Sequence, residues 1–289
     1  MNARDRDILK AARAMLSPCR VCPRVCGVDR PAGERGHCGI AGEAVVSSVG
    51  PHFGEEPPLV GHGGSGTIFL AGCSLLCLFC QNYDISHERH GTPATPADIA
   101  EMMLRLQRRG CHNVNFVTPS HVMPQLLEAV MTARHAGLAV PVVWNCGGYE
   151  SVDALRLLEG YVEIYMPDAK FAERSTAERL ANAPDYPDVM KAALREMHRQ
   201  VGDLVVERGL ARRGLLVRHL VMPGGAAETL AILDFLADEI SPDTFVNVMG
   251  QYRPVYRASG DPVIGRCPTA DEIASARAHA RERGLRLSD

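Results

Sequence analysis

From Thr67 to Tyr252 strand-like apolar runs alternate with helix-like stretches, and this alternation limits the possible folds more than any other feature. The runs are TIFLAG, NVNFVTPS (113–120), PVVWNC (141–146), VEIYMPDAK (162–170), LLVRHLVMPG (215–224) and TFVNVMGQY (244–252). Near-continuous apolar strands separated by helices belong to a parallel sheet covered on its faces. The right-handed crossover rule allows either a barrel or an open sheet. Six units are too few to close an eight-stranded barrel, so the expected fold class is α/β, a partial (β/α)6 barrel with reactive residues at the C-terminal strand ends.

A chain of 289 residues can bury one large core of this kind, with an appendage left over. Residues 1–18 read as a short amphipathic helix, with Ile8, Leu9, Ala12, Met15 and Leu16 near helical spacing. A cysteine-rich segment punctuated by Pro and Gly follows from Ser17 to Gly39. Residues 50–66 are too rich in Gly and Pro for regular structure. The expected division is therefore 1–62, helix and metal-binding appendage, and 63–289, the barrel. With 22% charged residues and a net charge of -3, nothing points to nucleic acid or a membrane as partner. No apolar run approaches the roughly eighteen residues of a membrane span, and Met1 to Lys10 lacks a secretory core, so a cytoplasmic location is expected.

Seven of the ten cysteines lie between Cys19 and Cys80. In a long chain without an export signal, such crowding reads as metal ligation rather than disulfides. Cys73-x3-Cys77-x2-Cys80 follows the first strand, where its loop should reach the barrel mouth. Three thiolates can hold three irons of a [4Fe-4S] cubane and leave the fourth open to an outside ligand; the plainer alternative is a zinc knuckle. The second set, Cys19-x2-Cys22-x3-Cys26-x11-Cys38, can close either a zinc site or a second cluster and would staple the small appendage. Cys111 and Cys267 have no partner at ligand spacing and look structural.

The three-cysteine spacing, with Phe79 before the last cysteine, resembles the radical S-adenosylmethionine (SAM) superfamily signature. The barrel beyond it resembles pyruvate formate-lyase activating enzyme-like proteins. The Cys-x-x-Cys-Pro-Arg-x-Cys-Gly pattern, GEEPPL and GTIFLAGC are similar to an uncharacterised subgroup of these with an N-terminal four-cysteine motif. The resemblance implies a [4Fe-4S] cluster on Cys73, Cys77 and Cys80 whose open iron binds SAM. Reductive cleavage then gives a 5′-deoxyadenosyl radical that takes a hydrogen atom from a substrate. It places Phe79, Gln81 and Asn82 beside the cofactors.

Where the family carries a Gly-Gly-Glu-like motif for the SAM amino group, this chain reads Thr118-Pro119-Ser120-His121, so the Thr118 and Ser120 hydroxyls, or the backbone carbonyls around them, are the expected acceptors. His121 is a weaker candidate, with an exposed loop histidine as the alternative. Asp168-x-Lys170 matches a family strand end that contacts SAM, and its two side chains share one face. Lys170 can pair with a carboxylate. Asn145 sits where an amide could bind SAM, and Cys146 reads as a small buried thiol. Arg218 and His219 precede an Arg-x-x-x-x-Pro-Gly-like strand end, and alternation lets only one of them face the mouth. Asn247, Met249, Gln251 and Tyr252 make a polar cluster fit for substrate or adenosine, with Gln251 as the cofactor candidate.

The expected function is an activase or modifier of a protein substrate of the glycyl-radical type, fed by a flavodoxin or ferredoxin. A radical SAM enzyme acting on a small metabolite is the alternative, and a non-catalytic iron–sulfur electron carrier is the reading from another class.

Overall fold

Each of the six apolar runs forms a strand, and each strand pairs in parallel with the next one in sequence. The structure is a computed structural model and describes residues 2–288. Its N-terminal third comprises α1 (Ala3–Arg13), β1 (Ala44–His52), α2 (Pro57–Val60), β2 (Ser65–Leu70), α3 (Tyr83–Ser86), β3 (Thr92–Ala94) and α4 (Pro96–Arg108). The middle runs β4 (Val114–Val117), α5 (Met123–His135), β5 (Val142–Cys146), α6 (Val152–Leu157), β6 (Ile164–Pro167), α7 (Arg174–Ala181) and α8 (Tyr186–Val201). The rest is β7 (Val205–Glu207), β8 (Leu210–Leu220), α9 (Thr229–Phe235), β9 (Phe245–Met249), α10 (Ala270–Glu282) and β10 (Arg286–Leu287).

The parallel strands lie in the order β2, β4, β5, β6, β8, β9 without reversal. A right-handed crossover at every step then puts the helices that connect these strands on one side and curls the sheet. At its ends β2 pairs with antiparallel β1, and β9 pairs with β10, so the barrel stays open between β2 and β9. This is a partial (β/α)6 barrel with a cysteine-rich N-terminal segment. Strand alternation separates two apolar layers. Trp144, Tyr165, Leu215, Val217 and Val246 pack outward with the helices, while Val143, Ile164, Met166, Leu216 and Phe245 fill the inside.

Local chemistry fixes the helix starts. Thr95 caps α4, accepting from the Asp98 amide at 3.2 Å while the Asp98 carboxylate takes the Thr95 amide at 2.9 Å, and Thr269 with Glu272 repeats the arrangement at α10. The first helix is shorter than its pattern predicts, ending at Arg13. The Gly/Pro-rich stretch 50–66 is not irregular throughout: it holds the end of β1, all of α2 and the start of β2. Leu59 of α2 is fully buried among the inner-layer residues. The sheet therefore runs across residue 62, where the sequence places a boundary. Leu9, Val21 and Ile40 join the same apolar core as the outer layer, which docks the N-terminal segment on the barrel.

Candidate active site

The cysteine loop leaves β2 through Gly72, whose backbone lies at φ +82°. A Cβ there would come within 2.8 Å of the Cys38 carbonyl and 2.6 Å of Ile40 Cγ1, so glycine is what lets the N-terminal segment touch the loop. Arg24 adds to this docking, donating to the Ser74 carbonyl at 2.8 Å and the Ala181 carbonyl at 2.9 Å. Within the loop, Cys73 Sγ accepts from the Leu75 amide at 3.3 Å, and Cys80 Sγ lies 3.2 Å from Ser86 Oγ. Burial pushes the Cys73 thiol up and Cys77 up to about 12, with the Lys170 charge opposing at Cys77. Thiols this reluctant to ionise need a strongly positive partner to become thiolates, and iron is one.

Cys73, Cys77 and Cys80 open on a cavity of about 290 Å³ at the C-terminal ends of the strands. Phe79, Gln81 and Asn82 line it from the cysteine loop; Phe79 is edge-on to Phe171 with centroids 6.0 Å apart, while Gln81 and Asn82 are exposed at the rim. Thr118, Asn145, Asp168, Lys170, Arg218 and Gln251 complete the wall. Thr118 lies at φ +60°, an uncommon conformation for a β-branched residue, and its amide donates to the Asn145 carbonyl at 2.9 Å. The sites expected from β4, β5, β6, β8 and β9 thus meet in one place.

The charges in this wall are tied together. Asp168 accepts from Lys170 Nζ at 2.6 Å on one oxygen and from Arg218 Nε at 2.9 Å on the other. Burial alone would raise Asp168, but Arg218 and Lys170 outweigh it and hold the carboxyl below its usual range. Burial also works against the Lys170 charge, and Asp168 overcomes it, so Lys170 stays protonated throughout the neutral range. Arg218 extends a second arm to Asn145 Oδ1 at 2.6 Å. Tyr186, which carries no sequence signal, fixes the strand end: its hydroxyl takes the Lys170 amide at 2.9 Å and lies 2.9 Å from the Gly147 and Asp168 carbonyls.

Some expected residues are elsewhere. Ser120 faces away from the cavity and hydrogen-bonds Glu150, so its hydroxyl is not free for a ligand. His121 is no exposed loop histidine; it is 1% exposed, with Nε2 2.8 Å from the Ala71 carbonyl. His219 points away from the mouth to the Ala169 carbonyl and Thr229, as alternation requires once Arg218 faces in. Of the last polar cluster only Met249 and Gln251 reach the cavity; Asn247 binds Glu56 and Tyr252 binds the Ile264 carbonyl. Cys146 lines the cavity, and burial, with Glu150 beside it, keeps it a neutral thiol. Cys111 is buried and Cys267 exposed.

The N-terminal cysteines also neighbour one another. Cys22 is pushed up to about 12, first by burial and further by Cys38, Cys19 and Cys26. Cys26 Sγ accepts from the His37 amide at 3.3 Å. Among the described residues no three His, Cys, Asp or Glu side chains converge as ligands of a single ion. A cubane makes a different demand, taking one thiolate at each iron, and the donor set of the barrel loop fits it.

A family profile described as Radical SAM superfamily matches residues 67–236. The chain is 35% identical over 287 residues to Uncharacterized protein MJ0674 of Methanocaldococcus jannaschii, covering 96% of this chain and 79% of that protein. Among solved structures it is similar to a radical SAM methyltransferase from Sphaerobacter thermophilus, with TM-score 0.54 and 14% identity over 77% of this chain and 65% of the other. Methylornithine synthase (PylB) gives TM-score 0.51 and 14% identity over 76% of this chain and 63% of the other. The chain spans a little under two thirds of these two solved structures, whose likeness is one of fold. This protein belongs to the radical SAM superfamily, a membership that implies a [4Fe-4S] cluster and SAM.

Proposed function

We propose that the protein is a radical SAM activase or modifier, similar to the pyruvate formate-lyase activating enzymes, that acts on a protein substrate of the glycyl-radical type. The observation that carries the catalytic part is the convergence of Cys73, Cys77 and Cys80 with Asn145, Asp168, Lys170 and Arg218 around one cavity. With cluster and SAM bound, the site supplies one-electron cleavage of a sulfonium C–S bond and abstraction of a substrate hydrogen atom. The protein's part is to bind, orient and exclude water. Lys170, held cationic by Asp168, meets the SAM carboxylate; Thr118 offers an oxygen to its amino group; Asn145, whose Oδ1 is taken by Arg218, offers its side-chain NH2 to the carboxylate or the ribose; Phe79 walls the site from solvent. The gap between β2 and β9 favours a large substrate entering from the side. The four N-terminal thiols, which do not converge on one point among the described residues as zinc ligands must, hold a second cluster with one thiolate at each iron, stapling their segment to the barrel. A cytoplasmic flavodoxin or ferredoxin is the electron source.

The test is anaerobic reconstitution with iron and sulfide, dithionite reduction, SAM addition and chromatography for 5′-deoxyadenosine, with Cys77→Ala as control. Product from the wild type that is abolished in the variant is expected. A wild-type cluster that never cleaves SAM would overturn the reading in favour of an electron carrier.

A further inference from the structure

The GEEPPL segment (54–59) enters the barrel from the end opposite the cysteine loop. It follows β1, which is antiparallel to β2, and Leu59 locks it among Val143, Ile164, Leu216 and Phe245. Two carboxylates are carried inward with it. Glu56 is 4% exposed; one oxygen accepts from Asn247 at 2.9 Å and the other is buried with no partner. Glu55 is nearly as enclosed, with one oxygen 3.7 Å from Arg218 Nη1 and the other 3.4 Å from His52 Nδ1. All three nitrogens of Arg218 therefore face a defined group: Nε meets Asp168, Nη2 meets Asn145 and Nη1 meets Glu55.

We infer that Glu55 and Glu56 are positioning residues for the SAM pocket, acting through Arg218. The cavity wall holds two cations, Arg218 and Lys170, against a single anion, Asp168. Buried charges need compensation, and a guanidinium short of it pulls on whichever carboxylate it can reach. The floor carboxylates supply the missing negative charge from below, so Asp168 can serve Lys170 and Arg218 at once and Asn145 keeps its orientation. With the floor neutral, Arg218 competes with Lys170 for Asp168, and the groups that meet SAM lose their fixed spacing. Arg218 thus works as a bridge whose donors are already committed to protein. The inference rests on the reading that Asp168, Lys170 and Asn145 meet SAM.

The test uses full-length reconstituted protein carrying Glu55→Gln, Glu56→Gln or both, isosteric changes that remove charge and keep shape. SAM binding to the oxidised, cluster-loaded protein is measured at equilibrium, without turnover, beside iron content and the thermal midpoint of the cluster-free protein. A group that orients a ligand-contacting side chain is worth about tenfold or more in affinity. The Kd for SAM should rise about tenfold in Glu55→Gln, with iron content unchanged. Arg218→Lys should weaken binding similarly, and combining it with Glu55→Gln should add little. A merely structural role would lower the thermal midpoint and leave Kd alone, which would overturn the inference. Should the double variant fail to fold, Glu55→Gln decides, because it leaves the Asn247–Glu56 bond in place. Wild-type protein that binds no SAM would sink the parent reading as well, and is distinguished by failing before any variant is compared.

Discussion

Alanine at Gly72 should separate backbone strain from collision in a single pair of measurements. The φ of +82° is left-handed, which costs an L-residue about 1–2 kcal/mol. The new methyl would also meet Ile40 Cγ1 at 2.6 Å and the Cys38 carbonyl at 2.8 Å, an overpacking worth about 1–3 kcal/mol. Gly110 has nearly the same backbone, φ +84°, but open space where its Cβ would go. Gly110→Ala therefore carries the first cost alone, and the two variants should differ by about 2 kcal/mol. For a chain of 289 residues, with an unfolding entropy of about 2.1 cal/mol/K per residue, that corresponds to about 3 °C in Tm. Thermal unfolding of the metal-free variants by circular dichroism reads the difference directly. Because the collision is with the N-terminal segment, Gly72→Ala should also take up less iron at the barrel cysteines. Equal melting temperatures would refute the claim that Gly72 exists for this close approach.

Glu150, fully enclosed behind Ser120 and Trp144, is pushed up to about 7 by burial, which its hydrogen bonds only partly offset. The folded protein thus keeps a proton that the unfolded chain gives up near pH 4.5. The contribution is fully present below that pH, is lost as the pH rises to about 7, and amounts to about 3 kcal/mol. Glu150→Gln should flatten the stability profile between pH 5 and pH 8 in urea unfolding, and wild-type and variant profiles that run parallel would count against it. Cys22→Ser should release the metal held by the N-terminal thiols and expose residues 19–38 to limited proteolysis while the barrel cluster persists; unchanged metal content by elemental analysis would show that those four thiols are not a metal site.

Legibility in the sequence followed distance along the chain. The Cys73-Cys77-Cys80 loop, the Asp168-x-Lys170 pair and the opposite facing of Arg218 and His219 each depend on residues within a few positions, so spacing and strand alternation were enough to place them. Ser120 was misplaced because the turn after β4 decides its direction, and its partner Glu150 lies 30 residues on. The segment 50–66 was misread for a related reason: its Gly and Pro content describes turns well, but pairing with β2 and burial of Leu59 give it strand and helix that composition alone argues against.

By itself the sequence determined the parallel α/β architecture, since six apolar runs with helices between them have few other ways to bury their faces, and it placed the three-cysteine loop at the barrel mouth. Only the tertiary structure decided what holds the site in shape. Glu56 meets Asn247 across 191 positions and Arg24 reaches Ala181 across 157. Such contacts exist only after the barrel curls, because the interior is defined by strands that no local pattern brings together. The floor of the pocket and the docking of the cysteine-rich segment are therefore properties of the folded chain, while the chemistry at its mouth is written residue by residue.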